Sequence, residues 1–171
     1  LQAVLTPASV AIVGASDDIR KWGGSALRNL LDGGYQGKIY PVNPRGGVFF
    51  GIQAYASIAD LPEAADLALM AVGGQQVKGV LEECGRRGVR AVVVLAAGFS
   101  ETGAEGAALE REILEIAARY GITLVGPNCM GLMSNEKSFH ATGFVALHPP
   151  KGKLSFVSQS GSLGPGVVNT C

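Results

Sequence analysis

Short apolar runs of strand length recur along this chain at intervals of about 25 residues, at 10–13, 38–43, 67–72, 91–97, 123–125 and 154–157, and helical periodicity fills most of the gaps. That rhythm constrains the fold more than any other feature. Strand following strand with a helix between them calls for parallel pairing, because the crossover is what a parallel neighbour needs. In 23–34, Ala26, Leu27, Leu30 and Leu31 share one helical face, and Gly33 with Gly34 supplies a stop. In 75–88, Val77, Val80, Leu81 and Cys84 form a second stripe that ends at Gly85 or Gly88. The most regular segment, 105–121, carries Leu109, Ile113, Ile116 and Ala117 on one face, acids in its first half, Arg119 near its end and Gly121 just beyond. The strands are continuously apolar and do not alternate, as expected when helices cover both faces of the sheet. The expected fold class is α/β, a doubly wound parallel sheet.

The rhythm breaks after Asn128. The stretch 129–153 reads as loop, with one strand expected at 144–147 and the Pro/Gly composition of a linker in "HPPKG". A new strand, Gly/Ser turn and helix start follow in "KLSFVSQSGSLGPGVV". The expected division is one domain over 1–145, then a linker and the opening of a second, truncated domain over 146–171. Formal net charge is zero and no run of Lys and Arg exceeds two, so the footprint of a nucleic-acid or anionic-membrane partner is absent and a small-molecule partner is expected. The longest apolar run, 91–98, falls far short of the roughly 18 residues a bilayer span needs. Cys84, Cys129 and Cys171 are an odd set without C-x-x-C pairing, which argues against a disulfide framework or a zinc site, and no metal is expected. No secretory leader opens the chain, so a cytoplasmic location is expected.

In open parallel sheets a ligand sits beyond the carboxyl ends of the strands, and the residues there carry the information. After the first strand come Gly14, Ala15 and Ser16, small enough for a phosphate to approach backbone N–H groups. A dinucleotide fingerprint would place its third glycine where Ile19 stands, so this turn is longer than G-x-G-x-x-G allows, and it carries Arg20 and Lys21. The same stretch also reads as a plain surface loop with two solvated cations. The second strand ends in Asn43-Pro44-Arg45, a cation where an NAD site keeps an acid for the ribose hydroxyls. A phosphorylated ribose suits that exchange, in NADP or in the 3′-phosphoadenosine end of coenzyme A, with Pro44 stiffening the turn that aims Arg45; an exposed arginine in a turn is the plainer alternative. Three more strand ends are small and polar: Val72-Gly73-Gly74, Ala97-Gly98-Phe99-Ser100-Glu101 and Gly126-Pro127-Asn128. Only Glu101 and Cys129 stand where a nicotinamide enzyme would need a proton-handling group, and each also reads as an ordinary loop acid and a small buried thiol.

Taken in order and spacing, "VAIVGAS", "KIYPVNPR", "AAGFSETGAEG", "GPNCMG" and "KLSFVSQSGSLG" resemble the NDP-forming acyl-CoA synthetases, in particular the CoA-binding domain of ADP-forming acetyl-CoA synthetases and the succinyl-CoA synthetase α subunit, over about 9–164. The resemblance implies a Rossmann-like CoA-binding domain followed by a flavodoxin-like domain. It implies that Gly14, Ala15 and Ser16 meet the CoA phosphates, that Arg45 stands at the adenosine end, and that Val72, Gly73, Ala97, Gly98, Phe99 and Asn128 line the route of the pantetheine; Arg20 and Lys21 in the first turn and Asn43 and Pro44 in the second are taken as further CoA-binding candidates. Gly73 departs from the proline such families commonly place there. Ser160, Gly161 and Ser162 would hold the phosphate of a phosphohistidine at a helix N-terminus, where free N–H groups and the helix dipole favour an anion; an ordinary serine N-cap is the plainer alternative. The implied reaction joins acid, CoA and ATP into acyl-CoA, ADP and phosphate by way of an acyl-phosphate and a phosphohistidine. That histidine matches neither His140 nor His148, both read as loop residues, so no catalytic residue is expected in this chain. The implied partners are CoA and acyl-CoA, an ATP-grasp domain in the same or a partner chain that binds ATP, ADP and Mg, and other copies in an oligomer. The alternative is a regulatory CoA-sensing domain fused to an acetyltransferase.

Overall fold

The computed structural model describes residues 1–144, 148–161 and 163–170. In chain order the elements are α1 (Gln2–Leu5), β1 (Ser9–Val13), α2 (Trp22–Asp32), β2 (Lys38–Val42), β3 (Val48–Phe49), β4 (Ile52–Gln53), β5 (Leu67–Met70), α3 (Gly74–Arg87), β6 (Ala91–Val94), α4 (Ala104–Tyr120), β7 (Thr123–Val125), β8 (Gly131–Ser134), β9 (Phe139–Thr142) and α5 (Leu163–Thr170). Five of these strands make one sheet in the order β2-β1-β5-β6-β7, every pair parallel. The chain grows outward from β1 to β2, then returns across β1 to β5 and grows the other way. Right-handed crossovers in opposite directions place their helices on opposite faces, which is the doubly wound arrangement expected from the rhythm of apolar runs.

Each helix is tied to the sheet by the stripe read from the sequence. On one face Ala26, Leu27 and Leu30 of α2 pack over Val10, Ile12, Leu67 and Leu69. Fully burying a leucine contributes about 1.5–3 kcal/mol relative to leaving it exposed, so Leu27 and Leu30, both at 0% exposure, hold α2 firmly. On the other face Val77, Leu81 and Cys84 of α3 join Ile113, Ile116 and Ala117 of α4 over Ala11, Val13, Ala68 and Met70. Gly88 and Gly121 end α3 and α4 in the left-handed conformation, at φ 83° and 66°. Gly85 stops nothing: it lies inside α3, where a Cβ would run into the Tyr120 ring of α4.

Two stretches depart from the expected pattern. The segment read as loop after Asn128 contains the antiparallel hairpin β8–β9, with Gly131 opposite Thr142 and Ser134 opposite Phe139. Its strands lack a continuous apolar run because polar groups are buried there by hydrogen bonds. Asn29 of α2 donates to the Thr142 carbonyl at 3.0 Å and to the Phe144 carbonyl at 2.8 Å, while Phe139 and Ala141 join the core on the α2 side. His140 is accordingly a buried strand residue, 4% exposed, and not the loop histidine expected. Phe144 lies in a bend, and the remainder of the strand expected at 144–147 lies outside the described residues, as does the expected domain boundary at 145 and 146. The segment 154–157 does not form a strand: it is exposed at Leu154, Phe156 and Val157, and no described strand pairs with it to complete a ladder. The helix start expected after it is present as α5.

Candidate functional site

The parallel register brings five turns to one edge of the sheet. Val13 pairs with both Val42 and Met70, and Met70 with Val94, so the chain leaves β1, β2, β5 and β6 nearly flush. The switch in direction of growth falls between β1 and β5, and the loops there diverge to opposite faces and leave a crevice. Gly14 borders it. At φ +88° it takes a conformation that side chains rarely adopt, and a Cβ would lie 2.9 Å from the Ala71 carbonyl carbon and 3.1 Å from Val72 Cγ1, so the β1 turn and the β5 end meet through a glycine.

Main-chain hydrogen bonding decides which amides face the crevice. Gly14 N and Ala15 N both donate to the Val42 carbonyl, at 2.9 and 3.2 Å, so neither is left for a ligand, and the Ala15 methyl is buried at 0% exposure. Ser16 spends its hydroxyl on the Asp18 amide at 3.1 Å. The donors that remain are the Ser16 and Asp17 amides and the first turn of α2, at Trp22, Gly23 and Gly24. That helix N-terminus has no side-chain cap and no acid in its first turn, which leaves its partial positive charge uncompensated. Gly23 and Gly24 allow it to sit against the turn: Cβ atoms there would lie 2.8 Å from the Gly14 carbonyl carbon and 2.7 Å from the Asp18 carbonyl carbon. The sequence marked this pair only as a helix start, and their close approach to the turn is a tertiary fact.

The two cations of the turn differ in their engagement. Arg20 is held by both oxygens of Asp18, at 2.9 and 3.0 Å, and the Arg20 guanidinium with the Arg20 amide holds the Asp18 carboxyl down at about 2. The charge of Arg20 is thus largely neutralised locally. Lys21 is the exposed residue before α2 and makes no ion pair among the described residues. After β2 the chain turns through Asn43-Pro44-Arg45-Gly46, closed by Gly46 N donating to the Asn43 carbonyl at 2.8 Å, with Asn, Pro and Gly where such turns favour them. Asn43 Oδ1 accepts from Arg45 N at 3.0 Å and Asn43 Nδ2 donates to the Ala15 carbonyl at 2.9 Å. Pro44 and Arg45 are exposed, and Arg45 has no ion-pair partner among the described residues.

The other strand ends divide between crevice and core. Val72 packs against the core, and Gly73, exposed, precedes α3 and donates its N–H to Gln76 Oε1 at 3.1 Å. The 97–99 turn is exposed at Ala97 and opens at Gly98 with φ +105°, but the Phe99 ring is a core side chain at 0% exposure, so at most its backbone reaches the edge. Glu101 is pinned to that turn by accepting from Gly98 N at 2.6 Å and Phe99 N at 3.2 Å, and those amides, Gly98 first, hold its carboxyl below the ordinary carboxylate range. In this structure it stabilises the turn. Asn128 is exposed in the left-handed region at φ 53° and donates its amide to the Ala96 carbonyl at 2.9 Å. Cys129 is half-buried, donates to the Val94 carbonyl at 3.2 Å and has its thiol pushed up by burial. Ser160 and Gly161 precede α5 and are exposed, with Ser160 N donating to Ser158 Oγ at 3.0 Å; Ser162 lies outside the described residues. A cavity of about 300 Å³ lined by Thr6, Tyr35, Gln36 and Lys137 lies at the opposite, amino-terminal edge and includes none of these groups.

An edge with a long first turn and a cation after β2 departs from a dinucleotide site in the same respects as the sequence did. Over residues 8–135 the chain matches the family described as CoA binding domain. This chain belongs to that family. The CoA-binding domain is similar to the α subunit of the ADP-forming acetate–CoA ligase II of Pyrococcus furiosus, 44% identical over 98% of this chain and 36% of that protein. It is also similar to the ADP-forming acetate–CoA ligase of Methanocaldococcus jannaschii, 45% identical over 95% of this chain and 22% of the relative. Among solved structures, the dinucleotide-forming acetyl-coenzyme A synthetase 1 of Ca. Korarchaeum cryptofilum, with phosphate and ADP, superposes with a TM-score of 0.88 at 37% identity, covering 99% of this chain and 36% of that one. The CoA-binding domain therefore spans about a third or less of the length of these relatives. Both curated relatives are ligases, which does not favour the reading as a sensor fused to an acetyltransferase. No helix among the described residues is long and apolar enough to cross a membrane.

Proposed function

We propose that this domain binds CoA along the carboxyl edge of its sheet, within an ADP-forming acid–thiol ligase of greater length. The observation that carries the reading is the uncapped α2 N-terminus packed against the β1 turn, together with an exposed arginine after β2 that has no ion-pair partner among the described residues, where a nicotinamide site would keep an acid. The pyrophosphate of CoA meets the Ser16 and Asp17 amides and the first turn of α2, with Lys21 adding charge. Arg45 meets the 3′-phosphate, and the pantetheine runs past Gly73, the Ala97-Gly98 turn and Asn128. Arg20 contributes less than Lys21, since Asp18 already holds it.

The domain's part in the reaction is to deliver a thiol in a fixed direction to an acyl-phosphate formed elsewhere in the protein. Attack of the CoA sulfur on the acyl carbon expels phosphate and yields the thioester. ATP, ADP and Mg belong to an ATP-grasp domain in the same or a partner chain, the full protein is an oligomer in the cytoplasm, and 146–171 are a linker and the opening of a second domain in which Ser160, Gly161 and Ser162 lie at the phosphate of a phosphohistidine.

Titration calorimetry on this chain tests the binding. CoA binds, NADPH does not, and dephospho-CoA binds more weakly than CoA. Arg45→Ala weakens CoA by about 1.5–3 kcal/mol, the range for a hydrogen bond to a charged group, and leaves dephospho-CoA nearly unchanged. Equal affinity of the wild-type chain for CoA and dephospho-CoA removes Arg45 from the site.

A further inference from the structure

We propose that Asn43 is a positioning residue that locks the arginine-bearing turn after β2 to the anion-facing turn after β1, so that the 3′-phosphate and the pyrophosphate of one ligand are gripped as a unit. The proposal rests on the CoA reading above and adds a residue that acts through its neighbours. Every polar group of Asn43 is engaged. Its amide donates to the Tyr55 carbonyl at 2.9 Å and its carbonyl accepts from Gly46 N at 2.8 Å. Its side chain accepts from Arg45 N at 3.0 Å and donates to the Ala15 carbonyl at 2.9 Å. The two side-chain bonds fix the orientation of the amide, because the flipped form would set oxygen against oxygen at Ala15 and N–H against N–H at Arg45.

The geometry has a consequence for the ligand. In a trans peptide the C=O and the following N–H point in opposite directions. The Ala15–Ser16 peptide is not among the cis bonds, so an Ala15 carbonyl held toward Asn43 turns the Ser16 N–H away from β2. With the Gly14 and Ala15 amides both spent on the Val42 carbonyl, Ser16 offers the first free donor of the turn, and Asn43 sets its direction. The same side chain shapes the turn from which Arg45 projects. At this reach only asparagine supplies one donor and one acceptor: serine can accept from Arg45 N in the same local turn, more weakly, but is too short for the Ala15 carbonyl, and alanine does neither.

The test is a set of calorimetric titrations of this chain with CoA and dephospho-CoA, alongside hydrogen exchange at the Arg45 amide without ligand. In Asn43→Ala the preference for CoA over dephospho-CoA falls by on the order of tenfold, as expected on losing an aligned charge-assisted contact. In Asn43→Ser the preference largely returns while both ligands bind more weakly than to the wild-type chain. Adding Asn43→Ala to Arg45→Ala leaves the ratio unchanged, since the group being aimed is gone. The Arg45 amide exchanges faster in Asn43→Ala and is again protected in Asn43→Ser. A ratio in Asn43→Ala equal to that of a discriminating wild-type chain, or an Arg45 amide equally protected without the side chain, overturns the role of Asn43 alone. Absence of CoA binding to the wild-type chain overturns the functional reading and this proposal with it.

Discussion

Replacing Gly23 by alanine sets local helix preference against tertiary fit, and the structure decides which wins. Gly23 is in the first turn of α2 and its φ is not positive, so alanine can adopt the backbone conformation. In an exposed helix the exchange would add about 0.5–1 kcal/mol. Here the new Cβ would overlap the Gly14 carbonyl oxygen and lie 2.8 Å from the Gly14 carbonyl carbon and 3.3 Å from Ala15 Cα, against the ~3.5–4.0 Å that carbons prefer. Both obstacles are main chain, held by the bonds of Gly14 N and Ala15 N to the Val42 carbonyl, so neither can swing aside as a long side chain would. Helix α2 must back away by about 1 Å, which loosens Ala26, Leu27 and Leu30 against the sheet. Overpacking of this kind costs about 1–3 kcal/mol; contacts with fixed main chain put this site in the upper half of that range, and set against the helical gain the expected net loss is about 1–2 kcal/mol. For a chain of this size that lowers Tm by roughly 2–8 °C. Gly79→Ala is the control: Gly79 lies within α3 with nothing near its missing Cβ, so the same exchange there adds about 0.5–1 kcal/mol. Urea unfolding of the three proteins makes the comparison, and a Gly23→Ala chain as stable as wild type refutes the steric argument.

Asn29→Ala leaves the Thr142 carbonyl without its donor on the α2 side and the Phe144 carbonyl with Ser25 Oγ as its donor there, and at 2% exposure of Asn29 the loss is about 1–3 kcal/mol by urea unfolding. Cys84 is fully buried and its thiol is pushed up to about 12, by burial first and Glu83 second, so iodoacetamide at pH 8 leaves it unlabelled in the native chain and labels it in urea, as peptide mass spectrometry will read. Asn135 donates to the Pro150 carbonyl at 3.1 Å, which turns its Oδ1 to His140 Nε2 at 2.9 Å and leaves His140 Nδ1 to accept from His148 Nδ1 at 2.8 Å. In that tautomer His140 Nδ1 carries no proton, and burial followed by His148 holds the His140 pKa below its ordinary value. The unfolded chain therefore binds the proton first as pH falls. The contribution is fully present above about pH 6.5 and is lost below it. The urea midpoint drops between pH 7.5 and pH 5, by less in His140→Gln, and an identical drop in both proteins disproves the assignment.

How much of the fold was legible depended on whether its elements carry apolar periodicity. The five sheet strands and helices α2, α3 and α4 are each built on a stripe or run that must be buried, and their positions could be read to within a few residues. The hairpin β8–β9 could not, because β9 buries Phe139, His140, Ala141 and Thr142 alike. A strand whose polar residues are buried by bonds to Asn29, Asn135 and His148 has no alternation to detect. Its signal lies in partners more than a hundred residues away for Asn29, and a single sequence does not reveal them. The hairpin β3–β4 is too short to carry a period at all, and 154–157 has the composition of a strand but no paired neighbour among the described strands.

The candidate site was legible in its residue types and illegible in its directions. Small residues at four strand ends, and a cation in place of an acid after β2, follow from composition and spacing. Whether a given donor is free does not. Arg20 and Arg45 look equivalent as cations beside a turn, yet Asp18, two residues before Arg20, claims its guanidinium through two bonds, while Arg45 follows an asparagine that takes only its backbone amide. Gly14 and Ala15 look like the amides a phosphate would meet, yet both point to the Val42 carbonyl. Side chains that permit close approach and main-chain groups that do the binding are therefore different residues in this loop. That separation makes a sharp distinction between substitutions at Gly14 and at Ser16. A side chain added at Gly14 acts by displacing the turn from β5, whereas Ser16→Pro removes an N–H, together with the hydroxyl that accepts from the Asp18 amide, without adding bulk toward Ala71. If Ser16→Pro keeps the stability of the wild-type chain and loses CoA affinity that Ser16→Ala retains, the amide is the contact; full affinity in Ser16→Pro means the anion is held by the Asp17 amide and α2 without it.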